Sequence, residues 1–161
     1  MSDQGQGLFH ETRDETHHQT FVTVTVAGQM FGIPVLQVQD VLGAQRITHI
    51  PLAPSEVAGS LNLRGRIVTA IDVRTRLGLP ARDDGKPGMS VVVEHEHELY
   101  SLIVDAVGEV LDVEAKRFER NPSTLEAVWR EVSTGIFRLE DNLLLILDVA
   151  RLLDLQKAEA A

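Results

Sequence analysis

Two short stretches of this chain are dense enough in donor side chains to suggest chemistry: His95-Glu96-His97-Glu98 and Asp83-Asp84-Gly85-Lys86-Pro87-Gly88. Histidines alternating along a strand share one face and suit a metal ion. The quartet lies between two apolar runs, however, and reads as the turn of a hairpin. The second stretch has Gly and Lys without the spacing of a phosphate loop, and Pro87 lacks the backbone N–H that a phosphate cradle uses. Asp72 and Asp148 each precede a short helical pattern, which favours capping of a helix over acid–base work. His17 and His18 belong to a polar leader. The chain has no cysteine, so it has no disulfide, thiolate nucleophile or Cys-ligated zinc. No Ser–His–acid constellation, paired carboxylate motif or nucleotide loop emerges, and the expectation is a non-catalytic protein without metal or cofactor. What remains is Asn62, Arg64 and Arg66 at one exposed turn, with Arg74 and Arg76 close behind. A guanidinium there can donate several hydrogen bonds to carboxylates or carbonyls of a partner. By spacing alone it can equally be a solvated turn arginine.

The stretch that positions these residues is Asn62 to Pro80, NLRGRIVTAIDVRTRLGLP. Gly65 supplies the left-handed backbone of a tight turn. Leu61 and Leu63 alternate into it, and Ile67, Ala70 and Ile71 lead out as a strand covered on most sides, so that Ile67 reads as core on pattern alone. From Val73 and Leu77 the period becomes helical, and Gly78 and Pro80 stop it.

Elsewhere the apolar pattern is mostly that of strands. Phe21 to Val26 alternates cleanly, Gly28-Gln29 turns, and Met30 to Val35 returns. Val35, Val38, Val41 and Leu42 are spaced as one short helical face ending at Gly43. Arg46 to Ile50 alternates again, and Pro54-Ser55-Glu56 opens a helical turn. Ala81 to Gly88 is a solvated connector. Met89–Val93 and Leu99–Val104 form a second hairpin. A helical turn near Val107, strands around Val113 to Phe118, a polar loop from Asn121 to Arg130, and strands at Val132–Leu139 and Asn142–Leu147 follow. A last helix is capped by Asp148, with Val149, Leu152 and Leu153 on its apolar face.

The chain repeats itself. Phe31–Leu42 falls without a gap on Tyr100–Leu111, an offset of 69, and Gly59–Leu79 falls on Gly135–Leu155, an offset of 76. Apolar residues match apolar residues nearly throughout. The implied organisation is a flexible tail over 1–18, one domain over 19–157 built of repeats at about 19–88 and 89–157, and a short tail over 158–161. Each repeat is too small to hold a large core, so two small barrel-like lobes packed together are expected, with the short helices sealing the barrel ends. The matched tips differ: Asn62-Leu63-Arg64-Gly65-Arg66 against Arg138-Leu139-Glu140-Asp141-Asn142. The swap of cations for anions directs attention to the first tip.

Composition sets outer limits. A chain of 161 residues, 43% hydrophobic and net −9, is an ordinary single-domain protein and a poor nonspecific binder of nucleic acid or anionic membrane. Its longest apolar run, Leu143 to Leu147, is too short to span a bilayer. No secretory signal is visible at the start, and the absence of cysteine suits a reducing cytoplasm.

On FGIPVLQVQDVL, the proline after RITHI, GSLNLRG, IDVRTRLGL and LLLILDVARLL, the sequence resembles the CheW family of bacterial chemotaxis coupling proteins over about residues 20 to 157. The resemblance implies a mainly β fold: two intertwined five-stranded SH3-like β-barrels with short helices and a C-terminal helix. It implies a cytoplasmic, non-enzymatic adaptor recruited to membrane-associated receptor arrays. Its partners would be the regulatory domain of the histidine kinase CheA and the cytoplasmic hairpin tips of methyl-accepting chemoreceptors. A scaffold of the same fold in a non-flagellar CheA-type pathway is the alternative, followed by a small-ligand-binding β-barrel. By position, Val38, Gly59, Asn62 and Arg64 match the family's receptor-facing groove, and Ile47 and Ile67 match kinase-docking positions. Asp40 matches an acidic position, usually Glu, that pairs with the arginine of NLRG; the side chain here is one methylene shorter. Many members also carry Pro near Thr69. The loop Asn121–Arg130 matches a region of lateral ring contacts, with Leu125 and Trp129 as its exposed apolar candidates. Val38 and Gly59 have the counterparts Val107 and Gly135, so core packing and backbone geometry are their competing explanations.

Overall fold

The structure, a computed structural model, describes residues 17–154. Of the tail expected over 1–18, residues 1–16 lie outside the described residues, while His18 is already paired with Glu114 in a strand, so the folded part starts one residue earlier than expected. The end of the last repeat beyond Asp154 and the tail over 158–161 lie outside the described residues too. Ten strands are described: β1 (His18–Val26), β2 (Gln29–Pro34), β3 (Val38–Leu42), β4 (Val57–Leu63), β5 (Arg66–Asp72), β6 (Met89–His95), β7 (Glu98–Val104), β8 (Ala106–Glu114), β9 (Ser133–Arg138) and β10 (Leu143–Leu147). Three single-turn helices accompany them: α1 (Val73–Arg76), α2 (Ala127–Arg130) and α3 (Val149–Leu152).

The strands form two five-stranded sheets, ordered β8-β1-β2-β10-β9 in lobe one and β3-β6-β7-β5-β4 in lobe two. Exchanging the first five strands for the last five converts one order into the other. The repeat is therefore structural, and the lobes are intertwined: each combines a hairpin from one half of the chain with three strands from the other. Each sheet also curls back on itself. The chain leaving β3 meets β4 at the opposite edge, where Thr48 and Ser60 exchange two backbone hydrogen bonds of 2.8 Å. The chain leaving β8 meets β9 in the same way, Glu119 N–H donating to Ile136 O at 2.9 Å and Ile136 N–H to Glu119 O at 2.8 Å. Such closure leaves few free strand edges.

Burial on both faces explains the near-continuous apolar strands. Along β10, Leu144 and Ile146 point into lobe one with Phe21 and Phe137, while Leu145 and Leu147 point into the core that the lobes share. Along β6, Val92 fills lobe two with Leu61, Val68 and Ala70, and Val91 and Val93 join the shared core. α1 and α3 cover the shared core through Val73, Leu77, Val149 and Leu152. Their caps match too: Thr75 N–H donates to Asp72 Oδ1 at 3.2 Å and Arg151 N–H to Asp148 Oδ1 at 3.1 Å.

Several expectations change. Val35–Leu42 is not helical: a 3-10 turn at Val35–Gln37 leads into β3, which pairs with β6. Val38 and Val41 have helical spacing, but their β-branched side chains suit a strand, and the β6 edge supplies the hydrogen bonds. Val107 lies within β8 for the same reason. Arg46–Ile50 contributes only the Thr48 bridge instead of a strand. Pro54–Glu56 makes a tight turn, Val57 N–H donating to Pro54 O at 2.9 Å, without continuing as a helix. The loop after Asn121 ends in α2.

Candidate functional site

The β4–β5 tip is a two-residue turn with Arg64 at φ 52° and Gly65 at φ 85°. Those angles belong to the turn type whose twist matches a hairpin. Asn62 Oδ1 accepts from Gly65 N–H at 2.9 Å, so this side chain holds the turn. Arg64 Nη2 donates to Asp40 Oδ2 at 2.7 Å, reaching from the tip to β3 across the seam of lobe two. The shorter carboxylate suffices because the arginine spans the gap. Asp40 Oδ1 also accepts from Val41 N–H at 2.9 Å. The Arg64 guanidinium, then the Val41 amide, hold the Asp40 carboxyl below its ordinary range. The Arg64 side chain is still 73% exposed, leaving donors turned to solvent.

Gly59 sits where the chain of Ile47 and Thr48 crosses β4. It has φ +151°, and a Cβ there would overlap the Thr48 carbonyl and come within 2.7 Å of Ile47 Cγ2. Gly135 is its structural counterpart, with Phe118 and the Glu119 carbonyl in the equivalent places. Both glycines serve the seam. Val38 is half-buried against the shared core, and so is Val107.

The remaining positions separate by exposure. Ile67 is 69% exposed on β5, so the reading of it as core is corrected: it lies next to the solvated tip, where its face of the strand is uncovered. Ile47 is half-buried against the interior of lobe two. Leu125 and Trp129 are not exposed. Leu125 is buried and Trp129 packs against the same shared core, its ring meeting Phe31 edge-on at 5.5 Å. Leu125 N–H bonds Pro122 O at 3.0 Å in a turn ahead of α2, and both side chains meet a core assembled from distant strands. The two therefore brace the loop from inside.

Sequence reasoning passed over four exposed apolar side chains, Leu36, Leu52, Val110 and Phe118. It also passed over the bidentate pair of Arg74 with Asp105. Comparing the repeats residue by residue would have found that pair, since its counterparts are Ala150 and Leu36.

His95-Glu96-His97-Glu98 forms the β6–β7 turn, with Glu96 and His97 at φ 52° and 68°. No cluster of three or more His, Cys, Asp and Glu suited to a metal ion occurs among the described residues. A cavity of about 750 Å³ opens beside Phe21, Val35, Leu36, Phe118 and Ile146 at one end of lobe one. Its lining is mostly apolar, and the barrel interiors themselves are filled by side chains. The arrangement suits contact between surfaces better than chemistry on an enclosed substrate.

The family profile described as CheW-like domain matches residues 20–157, nearly the whole described fold. The chain belongs to the CheW family. Among its CheW relatives, the chemotaxis protein CheW of Klebsiella aerogenes is 29% identical over 139 residues, covering 86% of this chain and 84% of its own length. CheW of Helicobacter pylori is 25% identical and covers 95% of this chain and 98% of its own. The crystal structure of the scaffolding protein TtCheW from Thermoanaerobacter tengcongensis superposes with a TM-score of 0.75 at 29% identity, covering 85% of this chain and 93% of that one. No helix among the described residues is long and apolar enough to cross a membrane.

Proposed function

We propose that this CheW-family chain is a non-catalytic chemotaxis adaptor that couples the histidine kinase CheA to the cytoplasmic tips of chemoreceptors. The observation that carries this reading is the clasped tip of lobe two. Arg64 is fixed in position by Asp40, yet most of its side chain faces solvent. A pre-positioned guanidinium loses less freedom on binding than a free one. Val38, Gly59, Asn62 and Arg64 would line or support the receptor-facing side, with Gly59 and Asn62 acting through the backbone. Ile67 offers an exposed apolar contact to the kinase, and Ile47, half-buried against the interior of lobe two, would contribute only its accessible part. Leu125 and Trp129 would serve lateral ring contacts only by shaping the loop that carries them. The adaptor would work in the cytoplasm, drawn to receptor arrays by these contacts.

Two filled lobes on a broad common core form a relay that changes populations of bound partners without chemistry of its own. Reconstitution tests the reading. Kinase activity of CheA with receptor signalling fragments is measured with and without this chain. Receptor-dependent control that appears only when the chain is present is expected; failure to bind either partner overturns it. The same fold in a non-flagellar CheA-type pathway would differ only in which kinase and receptors respond.

A further inference from the structure

Among the described residues the chain passes between the lobes twice, at Val35–Gln37 from β2 to β3 and at Asp105 from β7 to β8. The repeat superposes these crossings: Pro34, Val35 and Leu36 fall on Ile103, Val104 and Asp105. The register agrees, since Phe21 pairs with Pro34 and its counterpart Ser90 pairs with Ile103.

The two crossings are held very differently. Asp105 receives two parallel bonds from Arg74, Nε to Oδ1 at 2.9 Å and Nη2 to Oδ2 at 2.8 Å. Ala27 N–H donates to Asp105 Oδ2 at 2.8 Å, and Arg82 Nη1 donates to Asp105 O at 3.2 Å. The third nitrogen of the Arg74 guanidinium, Nη1, donates to Pro80 O at 2.8 Å. Asp105 thus joins α1, the β1–β2 turn and the connector to one point, with both side chains of the pair largely shielded from water. Forked, shielded pairs of this kind are the strong ones. At the other crossing Leu36 stands in the place of Asp105 and is 93% exposed, and Ala150 stands in the place of Arg74. No equivalent clasp can form.

Each crossing leads directly to a matched valine of the shared core, Val107 after Asp105 and Val38 after Gln37. The broad apolar core resists rotation of whole lobes. A three-residue turn with exposed side chains can change without opening that core.

We propose that Arg74 and Asp105 are positioning residues that hold the β8 side of the inter-lobe surface fixed, while the Val35–Gln37 crossing is the side that adjusts when a partner helix docks. The proposal rests on the adaptor reading for the identity of the partner, and the test separates the two. Amide hydrogen exchange is followed in the full chain, alone and with a chemoreceptor hairpin-tip fragment. Gln37 and Val38 are expected to exchange at least about tenfold faster than Ala106 and Val107, and the fragment to slow the first pair alone. Arg74→Gln or Asp105→Asn should raise exchange at Ala106 and Val107 toward the rate at Val38 while the global melting transition stays cooperative. Equal exchange at the two crossings in the unaltered chain overturns the proposal, as does an unchanged rate at Val107 in both variants. A fragment that fails to bind at all defeats the adaptor reading, and the contrast between crossings still decides the positioning role.

Discussion

Arg64 Nη2 lies 2.7 Å from Asp40 Oδ2, and this contact joins the two opposite edges of the sheet in lobe two. It lies on the same seam as the Thr48–Ser60 bridge. The bridge is made by two backbone hydrogen bonds, whereas the ion pair depends on a long arginine side chain that is largely in solvent. Exposed ion pairs contribute little to stability, because two long side chains must be ordered in a screening medium. Arg64→Ala is therefore expected to shift the melting temperature by no more than about 2 °C and to reduce receptor-dependent kinase control severalfold. Calorimetry and the reconstituted kinase assay check the two halves separately. A collapse of the melting transition would show that the seam depends on the ion pair.

Gly59 and Gly135 hold matched places, but their substitutions should not cost the same. Alanine at 59 meets a carbonyl of the crossing chain in a backbone conformation that disfavours any side chain. Alanine at 135 presses first on the ring end of Phe118, which is 43% exposed and can give way, although the Glu119 carbonyl is also close. Gly59→Ala is expected to cost about 2 kcal/mol or more, and Gly135→Ala measurably less. Urea midpoints at constant m-value provide the comparison.

Much of this architecture was legible in the chain, and the failures share a cause. Clean alternation located β1, and the offsets of 69 and 76 foretold two lobes of one topology. Asp72 and Asp148 announced their helices because capping is a local affair of three residues. Val35–Leu42 misled because valines three apart fit a helix, and only the distant edge of β6 decides for a strand. Ile67 misled through its strand pattern, and Leu125 through the ring-contact loop that its position matches in the family. Which face of an element is covered depends on partners far along the chain, and single-strand pattern does not encode that. The Arg64–Asp40 contact was legible only through family resemblance.

Leu125 and Trp129 lie inside the loop, so their replacement should act on stability first. Leu125→Ala removes a buried side chain from the shared core and is expected to cost about 2–4 kcal/mol. Trp129→Ala removes the ring facing Phe31 and should cost a similar amount. By contrast, Ile67→Asp places a charge where a side chain is already 69% exposed. It should leave the urea midpoint nearly unchanged and weaken binding to the CheA regulatory domain about tenfold or more. Ile47→Asp, half-buried in lobe two, should lower both. Titration calorimetry at a temperature where all variants remain folded separates stability from contact.

The pair of Arg74 with Asp105 should appear in the pH dependence of stability. The guanidinium beside it lowers the Asp105 carboxyl below its ordinary value, outweighing the opposing effect of burial, and the Ala27 amide adds to the lowering. Arg74 is shifted upward by the same contact. A carboxyl that releases its proton more readily when folded stabilises the folded state wherever the unfolded group is also ionised. That contribution is complete above the ordinary aspartate value near 3.9 and is lost as pH falls through the lowered folded value. Arg74 changes nothing in that window because it stays charged throughout. Asp105→Asn should therefore be less stable than the unaltered chain at pH 6, and the difference should narrow steadily below about pH 4. Urea unfolding at a series of pH values measures it. A difference that stays constant from pH 6 to pH 2.5 would mean that Asp105 acts by shape and hydrogen bonding alone, without its charge.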